Sequence, residues 1–254
     1  MTIAERHKYI LDELNRNGFV SVAELSKELD VTVVTVRKDL KILEEKGLLF
    51  RSHGSATSVS PYVNDRSVNE KKLVKVEEKT KIALEAVKLI EEEDAIIIGS
   101  GTTVVSFAQA IPKGKKLTVL TAAMNVTLAL IDTKEIEIVQ LGGVVRKSSS
   151  SVVGHYAEEM LQQFACSKLF LSADGISLDY GLTTSHMMEA HLNAQMMRGV
   201  QKTIVLADSS KFGKKGFGKI CNLEDIDMII TDAGIPELYR EKLEEMGIEV
   251  RVVG

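Results

Sequence analysis

Several short runs in this 254-residue chain have the residue types and spacing needed to hold an anion. Gly99-Ser100-Gly101-Thr102-Thr103 follows an apolar run and opens a helical pattern. Glycines let a backbone approach an anion, and the free N–H groups and dipole of a helix N-terminus attract one. Ser100, Thr102 and Thr103 add hydroxyl donors. No Gly-Lys-Ser/Thr follows, so this is not a Walker A loop. Val104 stands where a dinucleotide fingerprint has its last glycine. The competing reading is a plain βα turn. Lys211, in Asp208-Ser209-Ser210-Lys211-Phe212-Gly213, follows another apolar run and can pair with phosphate, whereas the adjoining KKGFGK reads as a mobile surface loop. Asp174, in SADG, either accepts bonds from sugar hydroxyls or caps a turn with Gly175. Gly142-Gly143 and serines 148–151 read as a flexible loop rather than the mouth of a site.

A second set suits nucleic acid. Thr32, Thr35, Arg37, Lys38 and Lys41 fall on or near the polar side of one short helical pattern. Arginine can bond a guanine edge in a bidentate way, and lysine and threonine reach phosphates. Arg51 and His53 follow shortly after and can touch the backbone. Residues 1–55 carry nine Lys+Arg and nine Asp+Glu, so this reading rests on where the charges lie rather than on their sum. The competing reading is a solvated charged helix in a protein-interaction domain.

The elements that must position these residues divide the chain. Ile3, His7, Ile10, Leu11 and Leu14 recur at helical spacing, and Asn17-Gly18 ends the run. Ser21 and Glu24 have capping-box spacing before the short helix VAELSKEL. Asp30-Val31 turns the chain, and Thr32 caps a third helix with a Val33, Val36, Leu40, Leu43 stripe that Gly47 stops. Two helices joined by so short a turn form a helix-turn-helix, whose second helix enters the major groove. Leu48-Leu49-Phe50 suits a small strand, and a strand pair after the helices makes a winged helix. Residues 52–68 are polar, carry Gly54 and Pro61, and read as a linker or extended connection. A helical stripe (Leu73, Val76, Thr80, Ala83, Val87, Ile90) predicts one long helix or two shorter ones over 71–92. Beyond it, strands alternate with helices to residue 253, which predicts a largely parallel sheet covered on both faces. Ligands bind such sheets at the carboxyl ends of the strands, where the polar runs above cluster. The expected fold is therefore α/β: an N-terminal winged helix-turn-helix over 1–56, a linker over 57–70, and a mostly parallel-sheet α/β domain over 71–254.

Other classes are excluded. The hydrophobic fraction of 44% and charged fraction of 27% are those of a globular protein. No apolar run approaches the roughly 20 residues of a membrane helix. The charged start lacks a signal-peptide core, which predicts a cytoplasmic protein. Cys166 and Cys221 are too few for a disulfide framework and read as buried small apolar residues. His155, His186 and His191 have no zinc spacing, so no metal is expected. No GxSxG elbow occurs. The net charge of −4 argues against a non-specific polyanion binder but leaves room for a sequence-specific one.

Taken in order, VAELSKELDVTVVTVRKDLKILEEKGLLFRSHGSA, SGTT, LGGVVR, SADGISLDYGLT, LADSSKFG and the closing ITD resemble the DeoR-type family of bacterial transcription regulators over nearly the whole chain. The resemblance implies a repressor with a sensor domain folded like ribose-5-phosphate isomerase, a homo-oligomer (dimer or tetramer), and a phosphorylated sugar or related metabolite as effector rather than a cofactor. It carries over Arg37 and Lys38 as contacts to double-stranded operator DNA, and Ser100, Gly101, Thr102 and Thr103 as a phosphate cradle with Lys211. Asp174 would hold sugar hydroxyls. Glu189 falls near an acid of the related isomerases, and Thr121 near the effector. Lys38 departs from the family's usual arginine and cannot form its planar fork. Ser55 replaces the second glycine of a family pair, and Thr121-Ala122 lacks the usual asparagine. The rival is a sugar-phosphate isomerase or deaminase using Asp174, Glu189 and Lys211. It needs a second Asp where Ile176 and Ser177 stand, so no catalytic residue is expected.

Overall fold

A computed structural model describes residues 1–17, 19–46, 48–52, 54–57, 65 and 67–254. Gly18, Gly47, His53 and most of the expected linker lie outside the described residues.

The head is built from α1 (Ile3–Asn17), β1 (Phe19–Ser21), α2 (Val22–Glu28), α3 (Val33–Glu45), β2 (Phe50–Ser52) and β3 (Ser55–Thr57). Its core gathers Ile10 and Leu14 of α1, Leu25 of α2, and Val36, Leu40 and Leu43 of α3, with Leu49 and Ala56 from the wing. Val33, expected in that stripe, is instead exposed. Asp30 takes the left-handed conformation at the turn (φ 49°), and Ser26 Oγ donates to the Val31 carbonyl at 2.6 Å, clamping α2 to the turn. Thr32 Oγ1 accepts the Thr35 N–H at 3.2 Å, the expected cap. Ser21 stands at the α2 N-cap, but its side chain makes no capping bond. The antiparallel wing has the order β1-β3-β2, with one strand more than the sequence predicts. Among buried polar groups, Asp39 of α3 accepts from Arg6 Nε at 2.7 Å and lies 3.2 Å from His7 Nε2, tying α1 to α3.

The rest of the described chain runs α4 (Val68–Lys72), α5 (Val76–Val87), β4 (Ala95–Ile98), α6 (Thr102–Ala110), β5 (Leu117–Thr121), α7 (Met124–Leu130), β6 (Ile136–Gln140), β7 (Val144–Arg146), β8 (Ser151–Val153), α8 (His155–Leu161), β9 (Cys166–Leu171), β10 (Gly175–Ser177), β11 (Gly181–Thr184), α9 (Met187–Arg198), β12 (Val200–Leu206), β13 (Gly218–Cys221), β14 (Met228–Asp232), α10 (Glu237–Glu245) and β15 (Glu249–Val253). Seven strands form one parallel sheet in the order β15-β14-β12-β9-β4-β5-β6. Strand alternation divides its apolar runs between two cores. Ile97, Leu169, Leu171, Val205 and Ile229 pack on one face. Ile96, Ile98, Phe170, Ile204, Leu206 and Ile230 pack on the other. Burial on both faces explains why these strands read as continuous apolar runs.

The helical pattern over 71–92 breaks into α4 and α5 at Lys75, which is left-handed (φ 56°). The stripe also turns: Lys79, Ile82, Ala83 and Ala86 face inward, while Leu73 and Val76 are exposed. Two segments read as mobile loops are structured. Residues 144–153 form the β7–β8 hairpin, and KKGFGK runs into β13 of a small antiparallel sheet, where the Gly216 N–H donates to Thr183 Oγ1 at 2.8 Å.

Head and sheet domain meet through aromatic rings. Phe19 of β1 stands edge-on to Tyr239 of α10 (5.5 Å between centroids, 72°). Tyr239 in turn meets Phe212 at 5.4 Å and 71°. No helix among the described residues is long and apolar enough to cross a membrane.

Candidate functional site

From β4 the chain winds through β5 to β6 on one side, then returns to β9 on the other side of β4. This reversal opens a crevice beyond the carboxyl ends of β4 and β9, the place where open α/β sheets bind ligands. Ser100, Gly101, Thr102 and Thr103 line it from the β4 side, and Ser172, Ala173 and Asp174 from the β9 side. The empty space, open mouth included, is about 540 Å³.

Gly101 makes the approach possible. Its φ is +128°, and a Cβ there would lie 2.7 Å from Ser172 Cβ. It is the N-cap of α6, so the first N–H groups of that helix, which have no intrahelical acceptor, open into the crevice. Lys211 lines the same cavity. Among the described residues, no carboxylate lies within 4 Å of its ammonium. A helix N-terminus and a lysine ammonium thus converge on one cavity, which is a setting for an anion.

The other expected residues have partners. Asp174 accepts from Lys71 Nζ at 2.6 Å, from the Ser185 N–H at 3.1 Å and from Thr184 Oγ1 at 3.3 Å. Burial pushes its carboxyl up, but the Lys71 ammonium beside it, with Lys211 further off, outweighs this and holds it below the usual carboxylate range. Glu189 is buried in the cavity wall. Its two oxygens accept from Arg146 Nη1 at 3.2 Å and from Ser151 Oγ at 3.0 Å. Thr121 does not line the crevice. Its hydroxyl is fully buried, donating to the Ile98 carbonyl at 2.7 Å and accepting the Ala123 N–H at 3.0 Å, so it ties β5 to β4 instead.

Sequence reasoning missed Lys71, Arg146, Ser148, Ser149, Ser172, Thr184 and Asn193, all of which line the cavity. Arg146 had a signal, since it ends the LGGVVR run, and the serine run was set aside on composition. Lys71 had none, for it stands at the edge of a segment read as linker. Among the described residues, no cluster of His, Cys, Asp or Glu could hold a metal.

The head presents the other candidate surface. Thr32, Arg37, Lys38 and Lys41 of α3 are exposed and Thr35 is half-buried. Val34 is 73% exposed on the same helix, an apolar group able to meet a thymine methyl. Lys41 lies 3.9 Å from Glu45, a solvent-exposed pair. Arg51 is engaged within the head, its Nε donating to Glu44 Oε2 at 2.7 Å and its N–H to Glu44 Oε1 at 3.0 Å. This pair fastens the wing to α3 and occupies one edge of the guanidinium. These bonds from Arg51 hold the Glu44 carboxyl below its usual range.

Comparison with known proteins agrees with this architecture. Residues 6–62 match the DeoR-like helix-turn-helix domain, and residues 74–233 match the DeoR C-terminal sensor domain. A relative from Escherichia coli O157:H7 named for repression of the aga operon is 37% identical over 99% of this chain and 94% of its own. The lactose phosphotransferase system repressor of Staphylococcus epidermidis is 36% identical over 92% of this chain and 95% of its own. Overlap with the solved ribose 5-phosphate isomerase of Methanocaldococcus jannaschii is partial, covering 54% of this chain and 55% of that one at 18% identity and a TM-score of 0.40. With a DNA-reading head and a sensor domain matched in order, and with transcription regulators as its relatives, the chain belongs to the DeoR family of transcription regulators and acts as a regulator rather than an enzyme.

Proposed function

We infer that this regulator represses a carbohydrate operon and that a phosphorylated sugar in the β4–β9 crevice changes its grip on operator DNA. The observation that carries the reading is the convergence on one cavity of the α6 N-terminus and Lys211, which has no carboxylate partner among the described residues, in a chain whose other end exposes Arg37, Lys38 and Lys41 on a recognition helix. Relatives named for repression of the aga operon and of the lactose phosphotransferase system support the operon class.

The phosphate sits on Ser100–Thr103 with Lys211, and the sugar reaches toward Ser149 and Asn193. Asp174 contributes whatever acceptor capacity its three donors leave. On the DNA side, Arg37 reads a base edge while Lys38, Lys41 and Thr32 hold phosphates. The protein works as a homo-oligomer on paired half-sites, and the effector shifts the population between arrangements that do and do not fit their spacing.

The test is fluorescence anisotropy on DNA from upstream of the protein's own coding region, at two salt concentrations, with and without a panel of phosphorylated sugars. Specific binding that one compound alters is the expected result. Arg37→Ala abolishes specific DNA binding and leaves the sugar phosphate bound, whereas Lys211→Ala or Thr102→Ala leaves a repressor that no compound releases or tightens. A folded Arg37→Ala that loses both activities overturns this division of labour.

A further inference from the structure

The segment that leads from the head to the sheet domain is itself part of the anion cavity. Residues 63–73 fall between the two stretches matched by the family comparisons, yet Val68 and Lys71 of α4 line the crevice together with the α6 cradle. Three of its described residues, Asp65, Val68 and Lys71, are fastened to the sheet domain. Asp65 accepts from Arg146 Nη2 at 2.6 Å and from Ser185 Oγ at 3.1 Å. The Val68 N–H donates to the Ser148 carbonyl at 2.7 Å. Lys71 Nζ donates to Asp174 Oδ1 at 2.6 Å, with both side chains mostly buried.

The far end of α4 is fixed from below. Lys79 of α5 is buried, and its ammonium donates to the carbonyls of Lys71 and Val74, both at 2.6 Å. It thereby ties the end of α4 and the turn after it to α5. Of the partners on the sheet-domain side, Arg146, Ser148 and Asp174 line the cavity, whereas Ser185 and Lys79 stand outside its lining. The connector is thus held by the walls of the ligand site.

Charge decides what an anion does to this arrangement. Arg146 is matched by Glu189 and Asp65, and Lys71 by Asp174. An incoming phosphate adds negative charge beside Lys71 and Lys211 without a cation of its own. Lys71 gains a second anionic neighbour in a poorly solvated site, where such attraction is strong.

We propose that Lys71 and Asp174 are positioning residues of the effector response: their ion pair pins α4 as a wall of the anion cavity, so that an anion bound there draws the connector in and fixes where the head is tethered. This rests on the anion-site reading above. It gives Asp174 a coupling role ahead of any contact with a sugar hydroxyl.

Hydrogen exchange read by mass spectrometry on the full chain tests it. Wild type, Lys71→Ala, Asp174→Asn and the charge-exchanged pair Lys71→Asp with Asp174→Lys are compared without ligand, then with inorganic phosphate against sodium chloride at equal ionic strength. Peptides from β4 and β9 report whether each variant is folded. The expected result is faster exchange over 65–75 in both single variants, on the order of tenfold or more, with partial recovery in the exchanged pair. Phosphate slows exchange over 65–75 in wild type and does so less in Lys71→Ala. Equal exchange over 65–75 in folded wild type and Lys71→Ala overturns the pinning. If phosphate protects 99–106 but leaves 65–75 unchanged in wild type, the anion site stands and the coupling falls. If phosphate does not protect 99–106, the anion-site reading and the coupling fall together, while the ligand-free comparison still decides whether the ion pair pins α4.

Discussion

At Gly101 the backbone is both left-handed and pressed against Ser172. Gly101→Ala is expected to destabilise the sheet domain by about 1–3 kcal/mol and to abolish phosphate protection of the α6 start. Urea unfolding and hydrogen exchange over 99–106 check the two effects, and a variant of wild-type stability that still protects on phosphate would remove this residue from the cradle. The residue scale was also where the sequence was most readable. Gly-rich loops and a lysine after a strand announce themselves by type, because few other needs bring them together. What stayed hidden was how groups are already spent. Asp174 looked available to a sugar, yet it is bound to Lys71 from 103 positions away. Thr121 looked like part of a site, yet its hydroxyl holds two strands together. Such pairings are long-range, and no local spacing encodes them.

Among the elements, α3 was legible because three independent signals agree: a Thr32 cap, an apolar stripe and a polar face rich in cations. The cap is expected to matter measurably. Thr32→Ala should cost the head about 1 kcal/mol and weaken operator affinity, while Thr32→Ser keeps most of both. Urea unfolding followed through the head peptides, with anisotropy in parallel, checks this; an unchanged midpoint in the alanine variant would show that the Thr35 N–H finds another acceptor. The elements that escaped notice share one trait, namely that composition misstates their state. A serine run was read as slack, but Ser151 is buried against Glu189 and closes a hairpin. The break between α4 and α5 rests on a left-handed lysine where a glycine would have signalled it. The inward face of α5 includes Lys79, and a buried lysine is invisible to a search for apolar periodicity.

For the whole molecule, division into a DNA-reading head and a parallel-sheet domain followed from the change of pattern along the chain, but the contact between them did not. That contact is aromatic, and its members Phe19, Phe212 and Tyr239 are scattered in sequence. Phe212 directly follows the cavity lysine, Lys211, so one short turn lines the ligand site and, through Tyr239, reaches the head's ring. Phe19→Ala removes the head's ring from this contact. The expected outcome is that heat unfolding resolves the head as a separate, earlier transition, with a loss of about 1–2 kcal/mol in the contact between the domains. Calorimetry of wild type and variant side by side decides it, since superimposable traces would mean that the rings do not couple the domains.

The place of β4 in the sheet also sets an order of assembly. Ile96 and Ile97 pair on one side with β5, which follows closely in sequence, and on the other with Lys168 and Leu169 of β9, which comes about seventy residues later. Closing that distant pairing is slow, since the loop entropy must be overcome before contacts reward it. The head, by contrast, draws its core from the first residues of the chain alone. During synthesis the part that reads DNA is therefore complete while the crevice still lacks one of its two walls. A newly made chain thus completes its base-reading surface before it completes the crevice that is to govern it.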